Sequence, residues 1–262
     1  METFEALKNH YDNYDEDSRL LSPMGQVEFL TTMRYIERYL KPGMRILEIG
    51  AGTGRYSHYL AQKGYRVDAV ELIEHNIDVF RQHTQPGEPV TVTQGNALDL
   101  KGFGDETYDM TLLLGPMYHL FTTAEQKQAM AEAIRVTRCG GLVYAAYCNN
   151  DATVLQFCFG KGMLAAPRYQ AMVDPETFVC TSTPEELFQL YRKEDVDALM
   201  EGFDTQRLHY VGTDMMAGFI KDKLAVMEET LFAQYMKYHF LICEREDMVG
   251  MTNHMLDVFR KK

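Results

Sequence analysis

The sequence predicts an α/β fold in which a parallel sheet carries helices on both faces. Two observations predict it. Between residues 44 and 148, short apolar runs alternate with segments of helical periodicity, the mark of strand–helix–strand crossovers. At the first crossover, "LEIGAGTG" (47–54) sets three glycines at alternate positions where a buried strand turns into a helix.

The elements follow in order. Residues 25–40 repeat Val27, Leu30, Met33, Ile36 and Leu40 at helical spacing, and "KPG" stops that helix. "MRILEI" (44–49) reads as a buried strand, and 54–63 as a helix with Tyr56, Tyr59 and Leu60 on one side. Strands are predicted at 65–70, 90–94 and 108–114, with a helix at 73–83. Thr123 opens the next helix with Gln126 as reciprocal cap, and "CGG" ends it near Arg138 before a strand at 142–148. After Asn150 the alternation breaks. Residues 151–205 are predicted as a helical insertion, in which Thr183 caps, Pro184 takes the first helical position and Glu186 closes a capping box. Strand character resumes at 206–212, a long helix covers 222–245, and 253–261 alternates as a final strand.

Composition narrows the function classes. The 262 residues carry a net charge of −12, with 38 acidic against 26 basic side chains. Such a surface repels phosphate backbones, so nucleic acid is a disfavoured partner, and the C-terminal "RKK" reads as a solvated tail. No apolar stretch is long enough for a membrane span, and "METFEALKNH" lacks the pattern of a signal peptide. Cysteines 139, 148, 158, 180 and 243 form no C-x-x-C pair, which fits reduced thiols in a cytoplasm. No metal-ligand spacing appears, so no metal is expected.

The glycines limit the ligand. Glycine at 50, 52 and 54 lets the chain turn tightly and lets a ligand approach without meeting a Cβ, while the following helix offers free N–H groups. Dinucleotide sites use G-x-G-x-x-G, and the position of the third glycine is held here by Arg55. Glu48, two residues ahead of the loop, repels a pyrophosphate but suits an ammonium. S-adenosylmethionine has an amino-acid end, a sulfonium and no phosphate. Glu71 closes the second strand, placed to accept hydrogen bonds from two ribose hydroxyls; the plainer reading is a soluble strand cap. Asn96 and the backbone of Ala97 are candidates for the adenine edge, with Asp99 as competitor, although Asn and Asp are also ordinary turn residues. Ala51, Leu72 and Leu114 complete the expected cofactor-binding set with Glu48, Gly50, Gly52 and Gly54.

These features together resemble the class I S-adenosylmethionine-dependent methyltransferases. The matching pieces are "ILEIGAGTGRY", Glu71, "GNALDL", "YDMTLLLGPMYHL" and "RVTRCGGLVYAAY", with a particular likeness to a bacterial small-molecule type bearing an "LGPMYHL" signature. The resemblance implies a Rossmann-like, seven-stranded mixed sheet in the order 3-2-1-4-5-7-6, the seventh strand antiparallel, with S-adenosylmethionine over the ends of strands one to four. It implies one domain: an N-terminal cap and helix (1–40), a cofactor-binding core (41–150), a helical lid (151–205), then the last two strands and long helix (206–262). Asn96 stands where many members carry Asp. The fold does not name the acceptor.

For the transfer itself, Tyr118 and His119 follow strand four, which ends at the donor. His119 is a candidate general base or acceptor-orienting group; the alternative is that both pack against the 123–138 helix, with His119 bonded to a carbonyl. "HYDNYDEDSRLLS" (10–22) reads as a solvated end or as a closure in which Tyr11, Tyr14 and Arg19 order over the cofactor. Phe157, Phe159, Met163, Tyr169, Met172 and Phe178, with the 222–245 helix, would roof an apolar pocket for a small acceptor; His239 and His254 line it or are structural. Three rivals remain. A nucleic-acid methyltransferase would carry a (D/N)-P-P-(Y/F) or Pro-Cys motif after strand four, and "LGPMYH" is neither. The others are a non-catalytic donor-binding module and a nicotinamide oxidoreductase.

Overall fold

The protein was analysed as a computed structural model, which describes residues 2–262, with side chains from Phe4 onward. Strands β1 (Arg45–Ile49), β2 (Arg66–Glu71), β3 (Val90–Gln94), β4 (Tyr108–Leu113) and β5 (Thr137–Asn149) run parallel in the order 3-2-1-4-5. A two-residue strand, β6 (Leu190–Tyr191), pairs with the far end of β5. Beyond β5 the sheet continues with β7 (Thr205–Gly212) and β8 (His254–Lys261); β8 lies between β5 and β7, antiparallel to both. The seven longer strands thus take the implied order with the last one reversed, and β6 makes an eighth.

The helices are α1 (Glu2–Tyr11), α2 (Glu16–Arg19), α3 (Pro23–Glu37), α4 (Arg55–Gln62), α5 (Glu74–His83), α6 (Thr123–Val136), α7 (Asn150–Thr153), α8 (Pro167–Gln170), α9 (Lys193–Met200), α10 (Lys221–Leu224) and α11 (Glu229–Ile242). Strand alternation sorts the core into two layers. Ile46, Val67, Met110, Leu112, Tyr144 and Leu256 face one side, covered by Phe29, Met33 and Ile36 of α3 and Leu60 of α4. Leu47, Ile49, Val70, Leu113, Val143 and Phe259 face the other, covered by Ala129, Met130 and Ala133 of α6 and Val196 of α9. Each such side chain, fully buried, contributes about 1.5–3 kcal/mol relative to exposure.

Three local expectations are corrected. Thr122, not Thr123, caps α6, and the reciprocal partner is Glu125 in place of Gln126. The capping box at Thr183 yields only a 3-10 turn, Pro184–Glu186, after which Leu187 takes φ +71° and cannot continue a helix. Tertiary bonds claim that segment: the Gln189 amide donates to Tyr118 O at 2.8 Å. The long helix at 222–245 is broken into α10 and α11, which lets Leu224 and Met236 reach one cluster with Val27. All five cysteines are free thiols, and no helix is long and apolar enough to cross a membrane among the described residues.

Candidate functional site

A cavity of about 300 Å³ opens outside the C-terminal ends of β1, β2 and β4, where open α/β sheets bind ligands. The β1–α4 loop forms its floor. Gly50, Gly52 and Gly54 have φ of +74°, +54° and +90°, a region that costs other L-residues about 1–2 kcal/mol. Their reasons differ. A Cβ on Gly50 would stand 2.6 Å from Pro116 Cδ, and one on Gly54 would stand 2.4 Å from the Phe80 ring. At Gly52 the one heavy atom within 4 Å is Glu16 Cγ, at 3.6 Å, and both residues line the cavity. Gly54, expected at the ligand, is therefore a packing residue that seats α4 against α5; it does not line the cavity.

Period-two alternation turns Glu48 toward α4, where Ser57 Oγ donates to its carboxylate. The side chain lines the cavity and is 1% exposed. Burial pushes its acid up to about 8, against the opposing pull of Ser57. Glu71 ends β2 and accepts from the amides of Gly52 at 2.8 Å and Ile73 at 2.9 Å. It thereby ties the glycine loop to the start of α5. Burial raises its acid although these amides pull the other way. Asn76 donates to Glu71 at 3.4 Å, while its own Oδ1 is buried at the cavity without a partner.

Ala51, Leu72, Asn96, Ala97 and Leu114 also line the cavity. Asn96 Oδ1 accepts from the Leu98 amide at 3.0 Å, the bond of an ordinary turn residue, while the side chain also stands in the cavity lining. Asp99 points away to Lys101.

The far wall comes from the 3-10 turn Pro116–His119. Tyr118 donates from its hydroxyl to Leu114 O at 3.0 Å. His119 Nδ1 lies 2.8 Å from Leu187 O; a carbonyl only accepts, so Nδ1 carries the proton and Nε2 accepts from Tyr11 at 3.0 Å. Burial lowers the imidazole to about 4, which keeps it neutral near pH 7. The carbonyl-bonded alternative for His119 is thus present, at the edge of the cavity.

Helices α1 and α2 close the mouth, the first with Phe4, Leu7 and Tyr11 and the second with Glu16 and Arg19. Tyr14 is a correction: it is 42% exposed, stacks on His10 and does not line the cavity. Arg19 binds Glu16 at 2.8 Å and Glu28 at 2.9 Å. Glu28 in turn approaches His254, whose Nδ1 donates to the buried Asp214 at 2.8 Å. Glu28, Asp214 and His254 hold one potential ligand atom each within 4.8 Å of one another, a grouping invisible in sequence spacing. Burial opposes protonation of His254, but the two carboxylates outweigh it and hold the ring cationic.

The expected roof lies elsewhere. Phe157, Met163, Tyr169 and Met172 line a second cavity together with His254, and Phe188 divides it from the first, its ring 5.8 Å from Tyr118 and 5.3 Å from His119. Phe159 and Phe178 pack on each other, outside its lining. His239 is structural, bonded to Thr31 at 2.8 Å and 1% exposed.

Residues 46–141 match the model of a methyltransferase domain family. Glu48, Glu71, the glycine loop and the C-terminal ends of β1, β2 and β4 all fall within that stretch. Over this stretch the chain is similar to a methyltransferase domain. A ubiquinone biosynthesis O-methyltransferase of Methylocella silvestris is 30% identical over 140 residues, 53% of this chain and 52% of that protein. An S-adenosylmethionine-dependent Diels-Alderase of Talaromyces variabilis is 29% identical over 106 residues, 39% of this chain and 35% of that protein. The chain spans about half or less of the length of these curated relatives. A methyltransferase crystal structure from Methanosarcina mazei shares the fold at a TM-score of 0.57 and 17% identity, covering 87% of this chain and 96% of that one. The site includes residues that sequence reasoning missed, among them Asn76 and Phe188. Asn76 carried a faint signal, in the first turn of the helix that follows Glu71; Phe188 carried none, because its place depends on the broken helix at Leu187.

Proposed function

We propose that the protein transfers a methyl group from S-adenosylmethionine to a small organic acceptor. The observation that carries this reading is the Glu71–Gly52 bond. It holds a bare, left-handed loop and a carboxylate on one side of a single cavity. The residues present fit the donor. An unpartnered Asn76 Oδ1 and the Glu71 carboxylate offer acceptors suited to sugar hydroxyls, and Glu48 offers a buried carboxyl that pairs with an ammonium once it gives up its proton. Bound there, the donor would supply an electrophilic sulfonium methyl.

The chain's own part is binding, orientation and exclusion of water. Glu71, with Leu72 beside it, would hold the ribose; Asn96 and Ala97 would border the adenine; Gly50, Ala51 and Gly52 would present backbone. Leu114 and the Tyr118 ring would wall the methyl end, and Phe4, Leu7 and Arg19 would screen the mouth. For His119 the neutral ring, its proton fixed on Nδ1 by Leu187, favours an orienting role through Nε2 and Tyr11 over that of general base. A residue held near 4 is a weak proton acceptor. The acceptor's path is through the second cavity, past Phe188.

A second reading is favoured by the Diels-Alderase relative: the domain binds the donor without using its methyl group. Single-turnover incubation with donor labelled in the methyl group, together with a metabolite extract, separates the two. Methyl transfer is expected in proportion to enzyme, and a marked loss in Tyr118→Phe and His119→Ala. Label that stays wholly on the donor across all extract fractions supports the second reading.

A further inference from the structure

The second cavity, about 1030 Å³, is much larger than its neighbour and lies under the segment between β5 and β6. Its interior is apolar and adaptable: Phe157, Met163, Met172 and Val173 line it, and thioethers repack around irregular shapes. Its mouth is different. Lys161, Lys221 and Lys223 stand there, all exposed, and none forms an ion pair with a carboxylate among the described residues. Lys161 lies over the Phe157 ring at 4.1 Å, and Lys221 and Lys223 both lie within the short helix α10. Two carboxylates share this lining. Glu186 is already paired with Arg168 at 2.5 Å, which leaves Asp222 as the single counter-charge. The cationic His254 at the inner wall is neutralised by Asp214 and Glu28 and so adds no net attraction. Three ammonium groups against one free carboxylate in this lining are unexpected in a chain of net charge −12, whose long-range field otherwise repels anions.

From this pairing of an apolar interior with a lysine-rimmed mouth, we infer that the cavity takes an amphipathic organic anion. Its apolar body lies among the methionines and its carboxylate or similar head lies at Lys161, Lys221 and Lys223. Resting on the proposed function, such a molecule is the acceptor class, entering with its far end toward Phe188. The lysines set orientation as well as affinity: an anionic head kept at the mouth directs the opposite end to the Phe188 partition and the donor cavity behind it.

Three ten-carbon probes of one body and different heads test this: decanoate, decanol and decyltrimethylammonium, titrated calorimetrically into the full chain, with S-adenosylhomocysteine titrated in parallel. Decanoate is expected to bind about fivefold or more tighter than decanol, and the ammonium more weakly than either. Lys221→Gln/Lys223→Gln is expected to bring decanoate down to the level of decanol and leave decanol unchanged. Met172→Trp, which fills the cavity without touching a charge, is expected to weaken both. Equal affinity for decanoate and decanol, or a decanoate affinity indifferent to the lysine substitutions, overturns the inference. Failure of S-adenosylhomocysteine to bind overturns the proposed function instead and leaves the probe comparison intact.

Discussion

A carboxyl group sealed beside a serine hydroxyl, as Glu48 is beside Ser57, is harder to ionise than one in water, and burial moves it up to about 8. The sign follows. Between the ordinary carboxylate range and 8 the folded chain holds a proton that the unfolded chain has lost. Glu48's contribution to stability is therefore complete at low pH and falls as pH rises through that window. A ligand ammonium requires the ionised form, so affinity for S-adenosylhomocysteine is expected to rise between pH 6.5 and 8, by up to about tenfold per pH unit, then level off. Glu48→Gln flattens the curve. Calorimetry in two buffers of different ionisation heat, showing no proton release on binding at pH 7, would refute the Glu48 assignment. Glu48, Glu71 and Asn96 were readable from sequence because each sits at a strand end, where position alone decides what it faces. Tyr14 and Tyr11 were not separable: both are tyrosines of one acidic segment, and only the packing of α1 sends Tyr11 to His119 and Tyr14 to His10.

The glycine loop joins β1 to α4, and its glycines answer to different constraints. Gly52→Ala meets only Glu16 Cγ at 3.6 Å, so the fold is expected to survive at a cost of about 1 kcal/mol while donor affinity drops. Gly54→Ala drives a methyl into Phe80 at 2.4 Å in addition to the left-handed penalty, and is expected to cost about 2–4 kcal/mol by chemical denaturation. If Gly54→Ala proves as stable as Gly52→Ala, the packing role given to Gly54 is wrong. Helix α1 belongs to the same argument. It closes the cavity mouth and is pinned by the Tyr11–His119 bond. Tyr11→Phe removes a contact of about 1 kcal/mol, and faster proteolysis within residues 10–24 is expected. S-adenosylhomocysteine is expected to slow that cleavage in the native chain; cleavage indifferent to both would show that α1 is no closure.

Across the molecule, the parallel sheet was legible in the alternation of strands and helices, whereas its strand order came only from the resemblance to the methyltransferase family. The two layers of core follow from the same alternation. The region between β5 and β7 was misread for the opposite reason. "TPEELF" satisfies the local rules of a helix start, yet the Leu187 carbonyl and the Gln189 amide serve His119 and Tyr118, residues 68 and 71 positions earlier in the chain. No periodicity records such a demand. The result is a protein with two cavities on either side of Phe188, one bounded by strand ends and one by irregular chain. The central claim concerns the first. Calorimetric titration of S-adenosylhomocysteine into the native chain and into Glu71→Ala measures it most directly. The expected result is saturable one-to-one binding to the native chain, weakened about tenfold or more by the substitution, since a buried charged acceptor is lost. Equal affinity for both chains, or no binding to the native one, would contradict it.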